Sequence, residues 1–238
     1  MPWCVGYSPI RRHSQSDERA SRMIAILRKM AMILLAALPL ASLAAESDLS
    51  VNQRMLLAAR NGDAPGVARG LQAGGSPNAR NRLGETGLVV ALKRKDAAMA
   101  RTFLDAGTDV NLAALNGVTP LMAAAYAGLT DVVAALLARG ADIQALDRLG
   151  KNAITYAAGE GQARVVKQLI ERGVDPNGVY RNDLTALMWA AGNGHAEAAR
   201  VLLEAGASAA AKDNRGKTAL DIARESGHAG VAKVLEER

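Results

Sequence analysis

The segment Gly117–Gly128, GVTPLMAAAYAG, predicts one helix together with the signals that begin and end it. Its first glycine suits a turn, and Thr119 can cap a helix whose first position is Pro120, where the missing N–H carries no cost. Gly128 can adopt the left-handed conformation that ends a helix. The next segment, TDVVAALLARG at residues 130–140, has apolar residues at helical spacing and a terminal glycine. Together they predict a helix–turn–helix unit.

This unit recurs along the chain at a spacing of 33 residues, without insertions. Alanine occupies one position in six copies, and glycine occupies two others in five copies each. Lys95 interrupts the first glycine column. Neither chance nor the alanine-rich composition explains this agreement, so the sequence indicates a stack of small repeats. The columns are Ala58, Ala91, Ala124, Ala157, Ala190 and Ala223; Gly62, Gly128, Gly161, Gly194 and Gly227; and Gly74, Gly107, Gly140, Gly173 and Gly206.

These residues resemble the ankyrin repeat, whose pattern is a turn glycine, T-P-L, a small-residue helix, G-H and then L-L-x-x-G-A. The resemblance covers residues 48–238 and implies an all-α repeat fold, a solenoid of about six helix–turn–helix units with β-hairpin-like fingers. The histidine that usually follows T-P-L is replaced in five units, so we expect lower local rigidity there. The predicted units are 48–80, 81–113, 114–146, 147–179, 180–212 and 213–238, and the replacements are Val89, Met122, Thr155, Met188 and Asp221.

The two ends of the predicted stack depart from the pattern in the manner of capping repeats. Val51 stands in the column of the turn glycine, and Glu236 stands in a column of leucine and isoleucine. Terminal repeats need one polar face because no neighbour covers it. We therefore expect the stack to be complete.

Residues 1–44 have the features of an export leader. Arg28-Lys29 is followed by an uncharged run at 31–45 that is too short to cross a bilayer comfortably, and Ser42-Leu43-Ala44 suits a signal peptidase. We predict a signal peptide over residues 23–44, cleaved after Ala44, with residues 1–22 preceding a true start at Met23. An uncleaved inner-membrane anchor is the alternative, and it would be the chain's contact with a membrane.

The charge distribution argues against nucleic-acid binding. The formal net charge is +6, but the leader holds six of the 29 Lys and Arg residues and only two of the 23 acids, so it carries +4 of that total. The repeat region is close to neutral. Cys4 is the single cysteine. A mature chain without it would have no disulfide, thiol nucleophile or cysteine zinc site, which suits a bacterial periplasm.

The segment Gly192-Asn193-Gly194-His195 resembles a reactive loop but is the fifth copy of a repeated corner. His195 and His228 both follow the glycine column, where the ankyrin pattern has histidine, and neither has a second ligand or base at suitable spacing. We predict structural roles for both. Trp189 and Tyr156 share an apolar column, so we expect them in the core between units, with their ring edges exposed.

Candidate binding residues are those that vary while their neighbours repeat. The resemblance implies that finger tips and first-helix ends line a concave binding face. Basic residues cluster in the first two units, five apolar residues stand where solvent is expected, and the solvent-facing Tyr126 could anchor a partner. A solvated charged face with incidental leucines is the alternative. The predicted partner-binding residues are Arg60, Arg82, Leu83, Lys93, Arg94, Leu115, Val118, Tyr126, Leu149, Lys151, Arg181, Leu184 and Asn193.

We therefore predict a non-enzymatic, exported protein that binds another protein in the bacterial periplasm, as a scaffold, chaperone-like partner or inhibitor. The prediction includes no catalytic residue, cofactor, metal or small-molecule substrate. The alternative is a secreted effector that binds a host protein. An enzyme is the least favoured class, because the repeat alignment leaves no nucleophile–base pair.

Overall fold

The computed structural model describes residues 49–237, so the predicted leader lies outside the described residues. Within them, helices follow one another in pairs and no strand is formed, as expected for an all-α repeat. Two helices fall in each of the six predicted units. They are α1 Val51–Asn61, α2 Ala64–Gln72, α3 Gly87–Lys93, α4 Ala97–Asp105, α5 Pro120–Ala127, α6 Thr130–Ala138, α7 Ala153–Gly159, α8 Ala163–Glu171, α9 Ala186–Gly192, α10 Ala196–Glu204, α11 Ala219–Glu225 and α12 Ala229–Glu236.

The first helix of each unit begins at a side-chain cap. Thr119 accepts a hydrogen bond from the Met122 N–H, and Pro120 is the first helical residue, as predicted. In the last unit, Asp221 stands in the position of the usual histidine and bonds to the capping threonine. Its Oδ2 accepts from the Thr218 N–H at 2.9 Å and from the Thr218 hydroxyl at 2.7 Å. The expected loss of rigidity there stays a prediction.

The turn after the first helix needs a left-handed residue. Gly128 has φ 74°, as predicted, whereas Lys95 has φ 59° at the equivalent position of the second unit. A side chain in this region of φ/ψ space clashes with the following carbonyl, and glycine avoids that cost.

Replacing Lys95 with glycine is expected to raise the free energy of unfolding by about 1 kcal/mol, because it removes this left-handed strain. Urea denaturation followed by circular dichroism measures the change. Lys95→Ala is the matched control, because it removes the charge and keeps the strain. Equal stability of the two variants would show that the lysine charge, not its backbone, governs this position.

Short fingers connect the units, and we number them by the unit they open: finger 2 is 81–85, finger 3 is 114–118, finger 4 is 147–151, finger 5 is 180–184 and finger 6 is 213–217. In each, the first N–H donates to the last carbonyl, as between Ala114 and Val118 at 3.0 Å. The predicted hairpin character is thus limited to these bonds and two isolated bridges.

Neighbouring fingers are joined by backbone hydrogen bonds at most junctions. The N–H of Leu115 donates to Leu83 O at 2.9 Å, and that of Arg148 donates to Asn116 O at 3.1 Å. Between fingers 4 and 5, however, the described part of the chain has no such bond. Finger 5 has a different turn, in which Asn182 and Asp183 both have positive φ where the other fingers use one glycine.

On the other side of each unit, asparagine side chains join successive loops. Asn78, Asn111 and Asn177 each accept from a backbone N–H of the following unit at 2.8 Å. Asn111 and Asn177 also donate to a glycine carbonyl of that unit, at 3.1 and 3.0 Å. Gln144 occupies this column in the third unit. Among residues 49–237 it makes no equivalent bond to the fourth unit.

The core is a continuous layer of small and branched side chains between the helices. Its largest fully buried residue is Phe103. Phe103 packs directly over Gly87, where an added Cβ would lie 2.1 Å from the ring atom Cζ. The corresponding pair in the fourth unit is Leu169 and Ala153. The large ring of the second unit is therefore accommodated by a smaller residue opposite it.

Candidate functional site

The finger bases and the ends of the first helices form one face, which we call the inner face. Within a unit, the last finger residue faces the residue eight positions later. Glu85 forms an ion pair with Lys93 in the second unit, and Lys217 Nζ lies 2.6 Å from Glu225 Oε1 in the sixth. The inner face consists of Glu85, Val118, Lys151, Leu184 and Lys217, their counterparts Lys93, Tyr126, Gly159, Gly192 and Glu225, and the rings of Tyr156 and Trp189.

Aromatic rings occupy the middle of the inner face, and we call Tyr126, Tyr156 and Trp189 the aromatic cluster. The rings of Tyr126 and Tyr156 meet edge to face, with centroids 6.3 Å apart and planes at 73°. The Lys151 ammonium lies 4.0 Å from the Trp189 ring centroid and 5.5 Å from that of Tyr156. Edge-to-face and cation–π contacts of this kind hold side chains in defined positions.

Asp147 fixes both Tyr156 and finger 4. Its Oδ2 accepts from the Tyr156 hydroxyl at 2.7 Å, and its Oδ1 accepts from the N–H groups of Leu149 and Lys151 at 2.8 Å each. Burial and the adjacent carboxylate raise the pKa of Tyr156. The phenol therefore stays protonated at neutral pH and keeps donating. As a result, the middle of the inner face is preorganised.

Glycines leave the aromatic cluster open to solvent. The Tyr126 column continues with Gly159 and Gly192 in the next two units. A Cβ added on Gly159 would lie 3.8 Å from Trp189 Cε3 and 3.5 Å from Asn193 Nδ2. The ring of Trp189 is thus bordered by a residue without a side chain, and a partner's side chain has room to approach it.

The predicted apolar tips separate into two groups. Leu83, Leu115 and Leu149 are 63%, 54% and 56% exposed, and they lie at the finger ends as predicted. Val118 is only 8% exposed and Leu184 is half-buried against the core, so the expectation that these two face solvent was wrong. Both are finger bases, where the chain turns inward to begin the next helix.

Two members of the predicted basic cluster, Lys93 and Arg94, are engaged by the protein itself. Lys93 is paired with Glu85, which is buried rather than at a finger tip, and Arg94 Nη1 donates to the Arg60 carbonyl at 2.8 Å. Burial favours a higher pKa for Glu85, but hydrogen bonds from Lys93 and Asn81 and the Lys93 charge outweigh it and lower the pKa. Lys93 therefore lies on the inner face with its charge paired to Glu85.

Replacing Glu85 with glutamine is expected to lower the free energy of unfolding by about 1 kcal/mol at neutral pH. A carboxylate whose pKa is lowered in the folded state stabilises it above the unfolded value, 4.5, and loses that effect as the pH falls. The difference between wild type and variant should therefore shrink below pH 4.5. Denaturation at a series of pH values measures it. Glu225→Gln, in the exposed pair with Lys217, serves as the control with a smaller effect. A stability difference between wild type and Glu85→Gln that does not change with pH would contradict the lowered pKa of Glu85.

The other predicted residues are exposed on or beside this face. Tyr126 is 42% exposed, and Arg82, Arg181 and Arg60 are exposed as well. Asn193 Nδ2 donates to the Trp189 carbonyl at 3.0 Å, which places this amide next to the aromatic cluster. The structure thus brings Tyr126, Lys151 and Asn193 close to the middle of the inner face.

Tyr156 and Trp189 are the residues that sequence reasoning missed. They were expected in the core with their ring edges exposed, and both do pack against the core as half-buried residues, but their contact with Lys151 on the inner face was not predicted. The signal that could have identified them is a change of size within one column, where Val90 and Ala123 give way to Tyr156 and Trp189. Large rings cannot fit where alanine fills the space, so they extend outward.

The two histidines pack between units. An added Cβ on Gly161 would lie 2.6 Å from His195 Nδ1, and one on Gly194 would lie 2.7 Å from His228 Nδ1. His228 Nε2 lies 3.1 Å from the Gly192 carbonyl. These contacts with the preceding unit agree with the predicted structural role.

Three further observations apply to residues 49–237. This range contains no group of three or more His, Cys, Asp or Glu residues placed to hold a metal ion. None of its helices is long and apolar enough to cross a membrane. An open groove between the second helices of the middle units, lined in part by Gln162, Lys167 and Glu197, is a separate surface from the inner face.

Comparison with known proteins agrees with this architecture. The family model described as "Ankyrin repeats (3 copies)" matches residues 55–147 and 154–238. No curated protein matches the chain. The matched residues make up more than half of the chain and include fingers 2, 3, 5 and 6 and most residues of the helix pairs. The chain therefore belongs to the ankyrin repeat family.

Proposed function

We propose that this protein is exported and binds another protein in the bacterial periplasm through the inner face, as a scaffold, chaperone-like partner or inhibitor. Ankyrin repeats indicate a protein–protein interaction module, and the family is generally non-enzymatic. The observation that carries the proposal is the partly exposed aromatic cluster at the middle of the inner face. Tyrosine and tryptophan in such a position are typical of residues that dominate binding energy.

The finger tips extend this surface. Leu83, Leu115 and Leu149 lie on three successive fingers and expose more than half of their surface. A row of exposed leucines on successive fingers is unusual for a surface that meets only water. Because the hydrogen-bonded fingers and stacked helices are already ordered, little conformational entropy opposes binding.

Replacing Trp189 with alanine is expected to weaken partner binding about tenfold, because the ring supplies a large contact area at the middle of the face. A photo-crosslinking residue at Leu115 should capture the partner in cells, and one at Lys167 in α8 should not. The captured partner then allows binding to be titrated. Trp189→Phe is the control that keeps a ring, and circular dichroism checks folding. Equal crosslinking from both positions, with affinity unchanged in Trp189→Ala, would reject the inner face.

Cell fractionation tests the proposed location. We expect a protein that starts at Ala45 and is retained in the periplasm. Protein recovered from the medium would favour the secreted effector, and uncleaved protein in the inner membrane would favour the anchor.

A further inference from the structure

Lys151 is a lysine without a carboxylate partner at a position where the sixth unit pairs a lysine with a glutamate. Among residues 49–237 it makes no ion pair, whereas Lys217, in the same column, is paired with Glu225. The position that corresponds to Glu225 in the fourth unit is Gly159. In the second unit the charges are reversed, and Glu85 is paired with Lys93. The second and sixth units therefore each place a lysine and a carboxylate together on the inner face, whereas the fourth unit has the lysine alone.

The surroundings hold the lysine in place without neutralising it. Its ammonium lies over Trp189 and Tyr156. Asp147, the nearest carboxylate in the sequence, is buried, and both of its oxygens accept hydrogen bonds from Tyr156 and the finger backbone. The aromatic rings weaken the hydration of the ammonium, which favours pairing with an anion that arrives from outside.

The exposed charges of fingers 4 and 5 favour an acidic partner over a basic one. Arg148 and Arg181 are exposed there with Lys151 between them in sequence, against one exposed carboxylate, Asp183. Gly150 and Arg181 are neighbours, since an added Cβ on Gly150 would lie 3.0 Å from Arg181 Cβ. Glu160, at the end of α7, is a second exposed acid of this region. A cationic side chain entering the aromatic cluster would meet Lys151 already in place, with Arg148 and Arg181 on fingers 4 and 5.

We propose that the inner face binds a peptide segment of the partner that places a carboxylate on Lys151, in the position left by Gly159, with an adjacent apolar side chain on Tyr126 and Trp189. This inference rests on the proposed function and specifies the chemistry of the partner. The carboxylate supplies orientation and association rate, and the apolar side chain supplies most of the contact area. Affinity is expected to fall as the salt concentration rises.

A selection from a phage-displayed library of random peptides tests the proposal on the full chain. Peptides selected by the wild type should be enriched in Asp or Glu next to an aromatic or aliphatic residue. Their affinity should fall about tenfold in Lys151→Glu and remain unchanged in Lys167→Glu, which makes the same charge change on an exposed residue of α8.

A more specific test is Gly159→Glu, which introduces a carboxylate at the position of Glu225 in the sixth unit. Its Cβ has room, and a helical glycine is replaced without loss of helix propensity. We expect it to pair with Lys151 and to lower the affinity of acidic peptides about tenfold, while Gly159→Gln has a smaller effect. Circular dichroism confirms that each variant is folded.

The outcomes separate the two proposals. Selected peptides that depend on Trp189 but are not acidic, or are basic, and that bind Gly159→Glu normally would overturn this inference and leave the inner face as the binding surface. A selection that yields no acidic enrichment relative to the same selection on Lys151→Glu would also overturn it. Peptides insensitive to Trp189→Ala but lost in Lys167→Glu would place binding in the groove between the second helices and reject the proposed function too.

Discussion

Replacing Phe103 with alanine is expected to lower the free energy of unfolding by about 3–5 kcal/mol, because it removes the largest fully buried side chain and leaves a cavity. Urea denaturation followed by circular dichroism measures the change. The exposed Leu149→Ala is the matched control for removing an apolar side chain, and it should change stability by less than about 0.5 kcal/mol. A loss below about 1 kcal/mol for Phe103→Ala would show that the neighbouring helices close over the space.

The same prediction extends to Gly87, which faces the ring. Gly87→Ala is expected to cost about 1–3 kcal/mol, since the new methyl group overlaps Phe103. The last three units combine leucine with alanine at these positions, as in Leu169 and Ala153. The double variant Phe103→Leu, Gly87→Ala should therefore be more stable than Gly87→Ala alone. Additive losses would contradict direct packing between the two positions.

Replacing Asn152 with alanine is expected to lower the free energy of unfolding by about 2 kcal/mol, because two interactions are lost together. Asn152 Oδ1 accepts from the Thr155 N–H at 3.2 Å at the start of α7, and its Nδ2 donates to the Tyr180 hydroxyl at 2.8 Å. The side chain is buried, so water cannot replace the lost cap without rearrangement. Chemical denaturation measures the loss.

Two further variants separate these interactions. Asn152→Thr keeps the cap, as Thr119 and Thr185 do in other units, but removes the donor to Tyr180. Tyr180→Phe removes only the hydroxyl. We expect each to cost about 1 kcal/mol, and the double variant to cost little more than either alone. A loss for Asn152→Thr as large as that for Asn152→Ala would show that the cap contributes nothing.

The local features of the fold could be predicted from the sequence, because they depend on neighbouring residues. Thr119, Pro120 and Gly128 have the roles expected of them, since caps and left-handed turns are decided within a few positions. The family was identified from the repeated columns, and the family match confirms it. Where the sequence contained a local exception, as at Lys95, the structure keeps the same turn and strains the residue instead.

The candidate site was less predictable, because it depends on contacts between finger and helix. Val118 seemed a tip residue, but its burial follows from the inward turn of the finger base. Lys93 was predicted to bind a partner, and the fold places Glu85 against it as its ion-pair partner. The meeting of Lys151 with Tyr156 and Trp189 joins a finger to two first helices, and no single repeat contains all three. Column-by-column reasoning therefore identified exposed positions better than it identified their partners.

The uneven bonding between units has a mechanical consequence. Between the third and fourth units, Gln144 replaces the asparagine that joins successive loops elsewhere. Between the fourth and fifth units, finger 5 makes no backbone hydrogen bond to finger 4 within residues 49–237. Each junction of the fourth unit thus lacks one kind of hydrogen bond that recurs elsewhere in the stack, although Asn152 also bonds to Tyr180 across the junction with the fifth unit. Under a pulling force or a bending fluctuation, we expect both junctions to bend more easily than the junction between the second and third units, which has both kinds of bond. A ligand that contacts both Tyr126 and Trp189 would span both junctions of the fourth unit and stiffen the stack.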